Sequence, residues 1–223
     1  MLKRMIVGLL ALVVPALAPA ASGGSATHYD AGIDYQIIDP PQPAGTDGKI
    51  QVIELFWYGC PHCYHFEPHL DQWLAHKPRD VVFKRVPAVL GPRWSPLARV
   101  FYTEKLLGVF HKTHQALFDA IHKDHDVKLL TDTHAMAAFF AKHGVPEKKF
   151  LSTYHSFAVD LDLNRAKDMT RRYGISGVPS MIVAGKYRTS GQLAGSNEAM
   201  LKVVKYLIQK ERASAHAAAD GSS

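Results

Sequence analysis

The sequence predicts an α/β fold in which a helical block is inserted between two parts of a sheet-bearing unit. Three observations carry this. An apolar strand, Ile50 to Trp57, runs into a helix through Gly59 and Pro61. A second strand, Asp80 to Val86, follows that helix closely enough for a parallel βαβ unit. About eighty residues of helical periodicity then precede a strand–turn–strand near the C-terminus. A chain of 223 residues can bury a core for one domain with a large insertion, and an apolar fraction of 47% argues for a globular chain.

The first twenty residues read separately, as an export signal. Lys3 and Arg4 precede an apolar run from Met5 to Leu17, and Ala18 and Ala20 offer small residues where a signal peptidase reads. The run falls short of the roughly 20 residues a membrane-spanning helix needs. Cleavage near Ala20 removes two positive charges and lowers the formal net charge from +6 to +4, a mild bias that predicts no nucleic-acid site. No cysteine lies near the cleavage point, so lipid attachment there is unsupported.

His28 to Ile38 supplies a short edge element, followed by a proline-rich connection from Asp39 to Gly45 that cannot form a continuous helix. The strand Ile50 to Trp57 is apolar except at Gln51 and Glu54 and suits the centre of a sheet covered on both faces. The helix from about Cys60 to His76 shows Cys63, Phe66, Leu70, Trp73 and Leu74 at spacings of three and four. Pro68 lies inside it and predicts a kink, since the apolar spacing continues beyond it.

Helical signals continue with Ser95 as an N-cap ahead of Leu97, Val100, Phe101 and Leu107. Segments over 113–122 and 131–143 follow, the second closed by Gly144. Pro146 opens the next, with Phe150, Tyr154 and Phe157 on one side, and a last helix runs towards Tyr173. Residues 180–183 and 186–190 form a hairpin about Ala184 and Gly185, and a final helix spans 197–212.

The order strand, helix, strand, helical block, hairpin, helix is that of a thioredoxin-like fold interrupted by a helical insertion domain. The expected division is a signal peptide over 1–20, the first part of the thioredoxin-like domain over 21–93, the insertion over 94–174, the second part over 175–212 and a flexible tail over 213–223.

The chain has two cysteines, Cys60 and Cys63, separated by Pro61 and His62. A bridge closing so short a loop restricts little of the unfolded chain, so redox chemistry explains the spacing better than stability does. Cys60 falls at a helix N-terminus, where unpaired N–H groups favour a thiolate, which makes it the attacking sulfur. Cys63, nearly one turn on, faces inward as the resolving thiol. His62 stabilises the Cys60 thiolate if it is protonated or donates to the sulfur; the alternative is an uninvolved surface histidine. Stabilising the reduced dithiol makes the disulfide more oxidising and favours its donation to other proteins. Glu54, on a strand beneath the helix, is expected to have a raised pKa and to accept or relay the proton of Cys63; the alternative places it at a wet sheet edge.

The run Glu54 to Glu67 containing Phe56-Trp57-Tyr58-Gly59-Cys60-Pro61-His62-Cys63, the later Gly177-Val178-Pro179-Ser180 and the helical insertion resemble the DsbA family of periplasmic thiol:disulfide oxidoreductases. The resemblance runs from about Tyr29 to Ile208. It implies a periplasmic enzyme in which Cys60 is a solvent-exposed nucleophile, Cys63 its buried partner, His62 the residue that tunes redox potential and Glu54 the buried acid. Val178 and Pro179 become a substrate-contacting loop whose proline is expected in cis beside the dithiol. Pro61, inside the dithiol turn, belongs to the same catalytic set. The resemblance also implies a monomer that oxidises reduced, unfolded secreted proteins, is reoxidised by a quinone-linked inner-membrane protein of the DsbB type, and needs no cofactor or metal beyond the Cys60–Cys63 disulfide. The chain lacks the second cysteine pair of some relatives.

Three other readings stay open. One is a disulfide isomerase or reductase on the same fold, although the residues before Ile50 are too few for a dimerisation module. A second is a metal module using Cys60, Cys63 and His62 or His65, against which stands the absence of a second cysteine pair. The third is a non-catalytic chaperone, which would keep its peptide binding after both cysteines were replaced.

Overall fold

The computed structural model describes residues 28–44 and 48–220, apart from the side chains of 218–220. The expected signal segment over 1–20 lies outside them. Five strands form one sheet in the order β1-β5-β4-β2-β3. They are β1 (Gln36–Ile37), β2 (Ile50–Phe56), β3 (Val81–Pro87), β4 (Ser180–Val183) and β5 (Tyr187–Ser190). Strands β2 and β3 run parallel, joined by helix α1 (Pro61–Ala75); the other pairings are antiparallel.

Strand alternation divides β2 between two cores. Ile53 and Leu55 pack with Val86, Ile182 and Ala166, beneath helix α6 (Phe157–Arg172). Val52 packs with Phe66 and Leu70 of α1 and with Val203, Val204 and Leu207 of helix α8 (Asn197–Asp220). Glu54 and Phe56 share the Val52 face, and Phe56 meets the core of the insertion. That third core joins Cys60 and Cys63 to Leu97, Phe101, Leu117, Phe118, Phe140 and Phe150. The dithiol therefore lies at the seam between sheet and insertion.

The insertion comprises α2 (Ser95–Leu106), α3 (Phe110–His122), α4 (Thr133–Lys142), α5 (Glu147–Tyr154) and α6, with 3₁₀ turns at Pro92–Trp94 and Val127–Leu130. Asp132 caps α4 through hydrogen bonds from the His134 and Ala135 N–H groups, and Ser156 caps α6 through Val159 N–H. Gly144, at a positive φ of 87°, follows α4 as expected.

Three local expectations change. Ser95 is no cap: the 3₁₀ turn at Pro92–Trp94 continues directly into α2, so Ser95 already has helical backbone. Phe157 is 80% exposed and leaves the stripe of Phe150 and Tyr154, because it sits at the first position of α6, just beyond the Ser156 cap. The final helix continues past Arg212 to Asp220, in place of a flexible tail beginning at 213. Five of those eight added residues are alanine, the best helix former, and propensity outweighs their small size.

The hairpin turn follows from chirality. Ala184 and Gly185 both have positive φ, 54° and 67°, and Lys186 N–H donates to the Val183 carbonyl at 3.0 Å. A Cβ on Gly185 would lie 2.1 Å from the Gln42 carbonyl oxygen, so the connection before β2 presses against a position only glycine fits. The hairpin delivers Ser180 directly opposite Leu55, which sets the preceding loop beside the start of α1.

Candidate active site

Cys60 is the N-cap of α1 and Pro61 occupies its first turn, where a missing N–H leaves no helical hydrogen bond unmade. Cys60 N–H donates to the Trp57 carbonyl at 3.0 Å, and Tyr64 N–H donates to the Cys60 carbonyl at 3.1 Å. The Trp57 indole folds back over Gly59, where a Cβ would lie 2.5 Å from the ring, and stacks on Trp94 with centroids 4.5 Å apart. The bend from β2 into α1 is thus closed by an aromatic pair that spans sheet and insertion.

Both cysteines are free thiols. Cys60 keeps 9% of its surface and Cys63 none, so another protein reaches only Cys60. The opening is narrower than the solvent-exposed sulfur the family resemblance implies, because Cys60 also packs in the insertion core. The Cys60 thiol is lowered to about 6. The hydrogen bond from the Cys63 thiol contributes most, burial opposes it, the backbone N–H groups of Cys63 and His62 add to it, and the His62 charge comes last. Burial, then the hydrogen bond to Cys60 and its charge, push the Cys63 thiol well above its ordinary value; the Glu54 charge adds to this. One dithiol thus holds two sulfurs of opposite tendency, one a ready anion and the other a reluctant one.

The loop before β4 approaches from the other side. The Val178–Pro179 peptide is cis, as the fold order led us to expect, and the Cys60 thiol donates to the Val178 carbonyl at 3.5 Å. Asp39–Pro40 is cis as well, which nothing in the sequence singled out. His62 is exposed, and the Asn197 side-chain amide donates to its carbonyl at 3.2 Å.

Glu54 is wholly buried, which removes the wet-edge alternative. Its carboxyl is pushed up by burial first and then by the charge of Glu67, against the opposing charge of Arg85. The parallel register sets Glu54 directly across from Arg85. Arg85 Nε donates to Glu54 Oε2 at 3.0 Å while Nη2 donates to Glu67 Oε2 at 2.6 Å. Burial likewise raises Glu67, against Arg85.

The polar cluster continues into the insertion. His114 Nε2 lies 3.3 Å from Glu67 Oε2, and His114 Nδ1 lies 2.6 Å from the Tyr58 hydroxyl. Tyr58 also donates to Glu104 Oε1, and Thr113 Oγ1 donates to Glu104 Oε2 at 2.6 Å. Burial, foremost, raises Glu104 to about 8 and lowers His114 well below the ordinary histidine value. His122 Nε2 sits 2.7 Å from the Tyr58 carbonyl, so Tyr58 is held at both ends.

Sequence reading placed Cys60, Pro61, His62, Cys63, Glu54, Val178 and Pro179 in one site, and the structure brings all seven to one end of the sheet. It missed Arg85, Glu67, Tyr58, Glu104 and His114. Arg85 left a signal, as a cation near the end of an apolar strand that pairs with the one bearing Glu54. Tyr58 and Glu67 lay inside the run that resembles the family but drew no role, and Glu104 and His114, on separate helices, left no signal. Among the described residues, no group of three or more His, Cys, Asp and Glu side chains is placed to hold a metal ion, and no helix is long and apolar enough to cross a membrane.

Comparison with known proteins agrees with this geometry. Residues 51–203 match the family model described as DSBA-like thioredoxin domain. The thiol:disulfide interchange protein DsbA of Pseudomonas aeruginosa is 45% identical over 208 residues, covering 92% of this chain and 98% of that protein. Its counterpart in Azotobacter vinelandii is 42% identical over 213 residues, covering 95% and 99%. Among solved structures, Pseudomonas aeruginosa DsbA superposes with a TM-score of 0.79 at 47% identity, over 84% of this chain and 97% of that one. The oxidoreductase DsbA of Xylella fastidiosa gives 0.77 at 35% identity, over 83% and 98%.

Proposed function

Because the chain belongs to the DsbA family of thiol:disulfide oxidoreductases, we propose that it works in the periplasm by passing a Cys60–Cys63 disulfide to reduced secreted proteins, with Cys60 as the sulfur that meets them. The observation that carries this assignment of roles is the contrast within the dithiol: Cys60 is reachable and lowered to about 6, while Cys63 is sealed and raised.

A client thiolate attacks Cys60 Sγ of the disulfide. The Cys60–Cys63 bond breaks, a client–Cys60 bond forms and Cys63 leaves with the electron pair. A sulfur buried so deeply leaves best as a neutral thiol, and Glu54, held protonated by burial, supplies the proton. A second client thiolate then attacks the client sulfur of the mixed disulfide and expels Cys60 as a thiolate. The low thiol pKa makes Cys60 a good leaving group in that step. Two electrons have passed to the enzyme and the client has gained one disulfide.

His62 adds a minor share to thiolate stability, Pro61 shapes the turn, and Val178 and Pro179 form the wall against which an extended client lies. Reoxidation reverses the exchange on a quinone-linked inner-membrane protein of the DsbB type. The protein acts as a monomer, exported by the segment 1–20. Residues 21–93 and 175–212 form the thioredoxin-like unit, and 94–174 the insertion that closes one side of the dithiol.

The test is oxidation of a reduced client by the oxidised protein, with the equilibrium reduction potential of the pair. Cys60→Ala is expected to abolish turnover. A potential near that of thioredoxin, about −270 mV, would remove the driving force for donation. Comparison of a scrambled client with a reduced one separates oxidation from isomerisation.

A further inference from the structure

Beside Cys60 lies a groove of about 1110 Å³, lined among others by His62, His65, His69, Val178, Pro179 and Arg188. The three histidines are spaced by three and four residues, so they form one row along α1. Seven residues of helix span roughly 10 Å, about the length of three residues of extended chain. A client segment that leaves Cys60 along α1 therefore passes the whole row within about four residues of its reacting cysteine. His62 and His65 are exposed and His69 is half-buried, so all three imidazoles are open to a visitor.

The charge around the row is lopsided. From α8, Glu198 places Oε1 3.6 Å from His69 Nε2. From β5, Arg188 lines the groove while donating to the Tyr173 carbonyl at 3.0 Å and to the Gln36 side chain. From α3 and the turn beyond it, His122 feels the charges of both His65 and His125. The Cys60 sulfur feels the His62 charge. The groove lining thus offers three imidazoles and a guanidinium against the single carboxylate of Glu198.

We infer that this groove prefers clients bearing Asp or Glu within about four residues of the reacting cysteine, held by the imidazole and guanidinium donors of its lining. The inference rests on the disulfide-donor reading above and adds to it a class of client. Imidazole and guanidinium N–H groups donate hydrogen bonds to carboxylates, and on this lining only Glu198 competes for them. Pairs made at so open a site are individually weak, and two or three together correspond to a preference of roughly three- to tenfold.

The experiment measures the rate at which the oxidised protein forms a disulfide in short dithiol peptides. The flanking residues are Asp and Glu in one peptide and Ser and Gln in the other, and the readout is the ratio of the two rates at one fixed pH. The expected ratio is roughly three to ten. Flanking carboxylates also act on the client's own thiols, so the parent's ratio is read against that of each groove variant on the same two peptides. In the double variant His65→Gln with His69→Gln the ratio is expected to fall to near one. In the double variant His65→Lys with His69→Lys it is expected to stay high. A ratio near one in the parent, or one that the Gln variant leaves unchanged, overturns the inference. Failure of the parent to oxidise even the Ser and Gln peptide instead overturns the disulfide-donor reading beneath it.

Discussion

Arg85 stands directly across the parallel register from Glu54 and divides its guanidinium between two buried carboxylates, Glu54 Oε2 at 3.0 Å and Glu67 Oε2 at 2.6 Å. One cation thereby ties the strand beneath the dithiol to the helix that carries it. The remaining oxygens, Oε1 of Glu54 and of Glu67, are buried without a hydrogen-bond partner, so the arrangement leans heavily on that cation.

Replacing Arg85 by Met should therefore be costly. It strips the Glu67 carboxylate of its counter-charge and the protonated Glu54 of its hydrogen-bond donor, and loss of one partner from a buried ion pair typically costs about 3–5 kcal/mol. Urea unfolding of the reduced protein measures this. A loss below about 1 kcal/mol would mean that both carboxyls are comfortably neutral without Arg85.

Glu104 predicts a pH dependence of stability. Burial holds its folded pKa at about 8 against 4.5 for an ordinary glutamate. Between those values the folded state keeps a proton that the unfolded state has lost, so this group's contribution falls as pH rises through the window. Glu104→Gln removes that dependence. The unfolding free energy of the variant relative to the parent should rise by about 1–3 kcal/mol between about pH 5 and about pH 8. A flat difference would show that Glu104 ionises normally in the fold.

The Cys60 thiol moves the opposite way, down to about 6 from 9.0. Its stabilisation of the reduced protein is complete above the unfolded value and is lost as pH falls through about 6. The disulfide form has no such group. The stability of the reduced form relative to the oxidised form should accordingly shrink as the solution is acidified through that value, as parallel denaturant titrations of the two forms would record.

The order of causes at Cys60 is also testable. The Cys63 thiol outranks the His62 charge, so Cys63→Ala should raise the Cys60 pKa further than His62→Leu does, with thiolate absorbance in the ultraviolet as the readout. A larger shift in the His62 variant would reverse the ranking and make the imidazole the main source of the thiolate.

Gly59, Pro61 and the cysteine spacing marked the strand-to-helix turn without help from the rest of the chain, because their constraints act within a few bonds. The apolar spacing of α1 and of the insertion helices was visible for the same reason. What escaped was non-local. Ser95 looked like a cap until the 3₁₀ turn before it was seen, and Phe157 looked buried until α6 was found to begin there. Local composition also misled at 213–220, where small residues suggested fraying and alanine propensity prevailed.

The amino-acid order by itself therefore determined the dithiol, its place at a helix start, the fold family and the candidate roles of Cys60, Cys63 and Glu54. Only the tertiary structure decided what surrounds them. The β2–β3 register put Arg85 on Glu54, and the docking of α2 and α3 carried Glu104 and His114 to Tyr58. The reason is physical. A thiolate-favouring helix end is built from neighbouring residues, whereas the burial and pairing that shift a carboxyl come from strands and helices that meet only when the chain is packed.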